Sequence, residues 1–81
     1  MDRETVKSRL TKVFRDVFDD DDIELKDGTT ADDIEAWDSL EHITLISAVE
    51  KEFKMRFTMK EVSGMKNVGE MINIVAERAK K

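Results

Sequence analysis

Ser39 and His42 are the first residues to test for chemistry. His42 is the only histidine of the chain and follows the serine by three positions. A nucleophilic serine needs a base within reach and a third group to hold that base. His42 instead lies one turn along the same helix and turns toward its apolar arc, where it packs partly buried. Gly does not flank Ser39 at two residues, as a nucleophile elbow requires. Self-contained hydrolysis is therefore not supported. The run Asp19 to Asp22 raises calcium, but a calcium loop needs Gly at its sixth position, and none falls there from any of the four starts. The run reads as a solvated acidic loop.

The elements that place Ser39 follow from periodicity and caps. Val6, Leu10, Val13, Phe14, Val17 and Phe18 share one face and predict an amphipathic helix from about Asp2 to Phe18. A long polar connection follows, from Asp19 to Trp37, with Ile23, Leu25 and Ile34 as apolar anchors and turn chemistry at Asp27-Gly28-Thr29-Thr30. Three capping boxes come next: Asp38 with Glu41, Thr58 with Glu61, and Asn67 with Glu70. They predict helices over about Ser39 to Phe53, Met59 to Ser63 (ending at Gly64) and Val68 to Lys80. Val68, Met71, Ile72, Val75 and Ala79 form the stripe of the last, and Arg78, Lys80 and Lys81 complement its dipole. On the second helix, Leu45, Ile46, Val49 and Phe53 face the core. Leu40 and Ile43 lie well off that arc, either covering the long loop or forming an exposed patch for partners. Ser39 stands at the border of the two surfaces.

The expected fold is all-α: a four-helix bundle with three longer helices, a short third helix and a long first loop, in a single domain over residues 1–81. The chain has no Cys, no Pro and three Gly, so packed apolar stripes must supply the stability. Its formal net charge is −5, which argues against nucleic acid and anionic membranes and suits basic partner surfaces. No apolar run is long enough to span a bilayer, and the first ten residues form no signal-peptide core. A cytoplasmic monomer without membrane insertion is expected.

Trp37-Asp38-Ser39-Leu40, continued by Glu41-His42-Ile43-Thr44-Leu45-Ile46 and closing in Glu50-Lys51-Glu52-Phe53, resembles the acyl carrier protein family. The likeness extends over nearly the whole chain. It implies that Ser39 is the covalent attachment point of 4′-phosphopantetheine, transferred from coenzyme A by a separate phosphopantetheinyl transferase with magnesium. Asp38 is then the adjacent acid and helix cap. The fit is physical too, since a phosphodiester is an anion and the N-terminus of a helix favours one. The arm's own thiol forms the thioester, so the chain needs no Cys. The resemblance also implies docking of partner enzymes with basic patches on the second helix, with Leu40, Ile43 and Glu50 as the matching positions. Ile46, Phe53, Val62, Met65, Met71 and Ile72 are the candidates for lining an acyl cavity. Met fills irregular gaps, which suits such a cavity and plain core packing alike.

The implied function is a carrier of acyl intermediates in fatty acid biosynthesis or in a specialised lipid, polyketide or saccharide-modification pathway, not an enzyme. Ser47, Lys51 and Trp37 depart from the primary fatty-acid carriers, which is compatible with a specialised carrier and leaves both pathways open. Two other readings remain at this point. A peptidyl carrier domain would use the same arm for amino acids. A non-covalent helical adaptor would use Leu40 and Ile43 alone and tolerate Ser39→Ala.

Overall fold

The structure is a computed structural model and describes residues 1–34 and 36–79. Four helices follow one another: α1 (Arg3–Phe18), α2 (Ser39–Phe53), α3 (Met59–Gly64) and α4 (Val68–Arg78). No strand is present among the described residues. The all-α expectation and its order of elements are met.

Asp2 does not open the first helix from within. It is the N-cap, and its carboxylate accepts the Thr5 amide and hydroxyl at 2.8 and 2.9 Å. Those bonds, the one to the Thr5 amide foremost, hold the Asp2 carboxyl below its ordinary value. α1 ends at Asp19 and α2 at Lys54, each in the left-handed conformation at φ 51°. α4 stops at Arg78, because Ala79 is extended, whereas the sequence pattern carries it to Lys80. Lys80 and Lys81 lie outside the described residues.

Of the three capping boxes, only Thr58 and Glu61 close reciprocally. Asp38 accepts the Glu41 amide, but its own amide is taken by the Ala36 carbonyl, so Glu41 has no donor there to reach back to. Asn67 accepts the Glu70 amide, while the Glu70 carboxylate reaches past the cap to the Lys66 amide at 2.6 Å.

The core is one continuous cluster. α1 contributes Val6, Leu10, Val13 and Phe14; α2 contributes Leu45, Ile46, Val49 and Phe53; α4 contributes Val68, Met71, Ile72 and Val75. The long connection is pinned to it by more than the expected Ile23, Leu25 and half-buried Ile34. Trp37 sits edge-on to Phe14 at 5.2 Å between centroids, and Thr29 is buried. Arg15 Nε donates to the Ile23 carbonyl at 2.9 Å. The first amides of α4 donate into the loop, Val68 to the Thr29 carbonyl at 2.8 Å and Gly69 to the Asp27 carbonyl at 2.9 Å. These are donors that a helix start leaves without internal partners. Gly69 is required by the closeness of that contact, since a Cβ there would stand 2.9 Å from the Asp27 oxygen.

α3 has no fully buried residue. It is held by half-buried Val62 and by a clasp between Glu61 and Arg78 of α4. The hydrogen bond from Arg78 is the first cause that holds the Glu61 carboxyl below its ordinary value, and the same bond raises Arg78.

Candidate functional site: the head of the second helix

Ser39 is the first residue of α2 and is exposed. The loop delivers it through Asp38, whose extended backbone (φ −109°, ψ −174°) turns the chain into the helix. Asp38 Oδ1 accepts the Glu41 amide at 2.9 Å, and the Asp38 carbonyl accepts that of His42 at 2.8 Å. The amides of Ser39 and Leu40 are those the helix itself cannot satisfy. A group esterified to Ser39 Oγ would therefore begin beside two outward N–H donors at the positive end of the helix dipole.

Next to Ser39 lies an open cleft of about 560 Å³, lined among others by Trp37, Asp38, His42, Val62 and Met65. It runs between the head of α2 and the short α3. Two of the six candidate acyl-lining residues, Val62 and Met65, stand in this cleft. The other four, Ile46, Phe53, Met71 and Ile72, are at most 7% exposed and pack in the core. A chain extending from Ser39 into this cleft would meet Val62 and Met65 first and would reach the other four only by parting α2 from its neighbours.

His42 takes the half-buried place expected of it. Trp37 Nε1 donates to His42 Nδ1 at 3.0 Å, which leaves the proton of the neutral ring on Nε2, facing the Val62 carbonyl at 3.3 Å. Both ring nitrogens are thus engaged in tying the loop to α2 and α2 to α3. No base faces Ser39 Oγ from this histidine. Trp37 is an anchor beyond Ile23, Leu25 and Ile34, the three expected from the sequence. The signal was present, because Trp37 and His42 occupy the positions before the cap and four into the helix, where a staple closes a helix start.

Leu40 and Ile43 stand on the solvent side of α2, 76% and 68% exposed. They do not cover the long loop, so the second alternative, an open apolar patch flanking Ser39, is the one realised. Glu50 lies at the far end of the helix, half-buried, with Oε2 accepting the Phe57 amide at 2.8 Å. Among the described residues no helix is long and apolar enough to cross a membrane.

No protein-family model and no curated protein matches the chain. Among solved structures, the chain is similar to the solution NMR structure of a holo acyl carrier protein from Geobacter metallireducens. The two are 44% identical, with a TM-score of 0.86, over 90% of this chain and 84% of that one.

Proposed function

Because the chain belongs to the acyl carrier protein family, we propose that Ser39 carries 4′-phosphopantetheine and that acyl groups ride on its terminal thiol as thioesters. The observation that carries this reading is the exposed Ser39 at the capped head of α2, opening onto a cleft walled by Val62 and Met65. The relative's holo state supports the same cofactor. A phosphopantetheinyl transferase with magnesium would join Ser39 Oγ to the phosphate of coenzyme A, releasing adenosine 3′,5′-bisphosphate. Asp38 caps the helix beneath the ester and offers a carboxylate to the transferase and its metal.

Partner enzymes with basic patches would dock over Leu40 and Ile43, which surround the attachment point. Glu50 takes a lesser part, since its carboxylate already holds the Phe57 amide. The cargo pathway we favour is a specialised lipid, polyketide or saccharide-modification route rather than primary fatty acid synthesis. Trp37 is built into the loop anchor, and Ser47 and Lys51 open a polar face on α2 where fatty-acid carriers are apolar or acidic. We read the chain as one carrier domain acting as a monomer in the cytoplasm.

The test is intact mass after incubation with a broad-specificity phosphopantetheinyl transferase, magnesium and coenzyme A. A gain of one phosphopantetheinyl group in the chain, and none in Ser39→Ala, is expected. A folded, unmodified sample that gains nothing overturns the assignment of Ser39.

A further inference from the structure

The acidic balance of the chain suggests acid along the whole of α2, and its C-terminal end departs from that. Glu50 Oε2 accepts the Phe57 amide. Glu52 is held by Arg9, whose Nε meets the carboxylate at 2.8 Å and whose guanidinium also reaches the Glu52 carbonyl at 2.8 Å. Glu61 is held by Arg78. The carboxylates nearest this end are therefore engaged within the fold. Lys51, Lys54 and Arg56 are exposed, and among the described residues none of the three has a carboxylate within 4.0 Å. Together with Arg78 they line one open groove of about 780 Å³, with Ser47 and Met55 between them and Glu50 as its single acid.

We propose that this groove docks a carboxylate-bearing face of a partner protein, as a second contact separate from Leu40 and Ile43. Lys51, Lys54 and Arg56, with Arg78 already paired to Glu61 beside them, face Glu50 as the one acid of the groove, in a chain whose net charge is −5. Screening confines such a cluster to roughly 8 Å at physiological salt. It therefore attracts a local acidic patch, while the net charge repels an extended polyanion or an anionic bilayer. α2 spans 15 residues, about 22 Å at the rise of an α-helix. Its two ends carry opposite sign, with Asp38 and Glu41 near Ser39 and the cations at the far end. A partner that is basic around its active-site mouth and acidic one helix length away accepts the carrier in one orientation and repels it in the reverse one. This charge map stands whether or not Ser39 is modified.

The experiment is an amide-resolved NMR titration of the full chain at low salt with an acetylated hexaglutamate peptide as probe. The expected result is shifts confined to Ser47, Lys51, Lys54, Met55, Arg56 and Arg78, lost on adding salt and weakened roughly tenfold in Lys51→Glu/Arg56→Glu. Lys51→Gln/Arg56→Gln, which places no acid in the last turn of α2, is expected to weaken binding less. Ser39→Ala is expected to titrate like the unaltered chain, which separates this proposal from the attachment site. Absence of shifts, shifts spread over other surfaces, or unchanged binding in both charge variants overturns it. So does tighter binding through Lys51 to phosphatidylglycerol vesicles than to the peptide, which would make the groove a membrane contact.

Discussion

Ser39 and Asp38 differ in what they hold. Asp38 makes the capping bond of α2, and Ser39 Oγ has no comparable structural part. Ser39→Ala is therefore expected to lose loading while changing stability by less than about 1 kcal/mol. Asp38→Ala is expected to lose about 1 kcal/mol through the cap. Urea unfolding of both beside the mass assay checks the pair, and equal losses would show that the cap is not the distinction. His42 is the residue whose removal costs fold rather than chemistry. His42→Ala leaves the Trp37 indole N–H, in a residue 9% exposed, without its acceptor. A loss of about 1–3 kcal/mol is expected, measured by unfolding followed at the single tryptophan. A loss near zero would mean that water replaces the imidazole. The places of Asp38, Ser39, Leu40 and Ile43 at the head and on the solvent side of α2 were legible because caps and helical spacing are local, whereas the role proposed for Ser39 came from the family resemblance. The cross-connections of Trp37, His42 and Val62 were not, because a hydrogen bond from the loop through α2 to α3 leaves no periodic trace in the sequence.

The elements differ in how firmly they are attached. α1, α2 and α4 share a core, whereas α3 depends on Val62, on His42 and on the clasp between Glu61 and Arg78. The folded Glu61 carboxyl lies below its ordinary value of 4.5. Its contribution is thus fully present above that pH and is lost as pH falls through the lower folded value. On acidification below about pH 4.5, α3 is expected to loosen before the other helices. Amide exchange at Glu61 and Val62 reads this, and Glu61→Gln is expected to remove that part of the pH dependence. Simultaneous loss of all four helices in both chains would contradict it. The first loop is the opposite case. Gly69→Ala places a methyl group 2.9 Å from the Asp27 oxygen. It is expected to destabilise by about 1–3 kcal/mol through a forced shift of loop or helix. Apolar residues at helical spacing announced α1, and the three capping pairs announced α2, α3 and α4. The end of α4 was overrun at Ala79, which continues the apolar stripe while its backbone has already left the helix. Gly69 passed unnoticed because its partner is a carbonyl some forty positions away.

At the scale of the molecule, the proposed cargo would compete with the core for the same space. Phe53, Met71 and Ile72 are essentially closed to solvent, so an acyl chain longer than the cleft beside Val62 and Met65 must displace packed side chains. A ligand held only by the folded state stabilises it. A short thioester resting in the cleft is expected to raise the melting temperature of the holo chain, and a longer one to add further only if the core opens to admit it. A series of chain lengths followed by calorimetry measures where the gain stops. The amides of Val68 and Gly69 carry a related consequence. Each is bonded to a carbonyl of the long loop rather than to its own helix. Their deuterium uptake is thus a clock for loop detachment, while that of Ile72 and Val75 times the opening of α4 itself. Should all four exchange at one rate, loop and helix part from the core as a single unit. The described part of the connection before Ser39 would then be a rigid collar around the proposed attachment point, and any gate for the cargo would have to be α3.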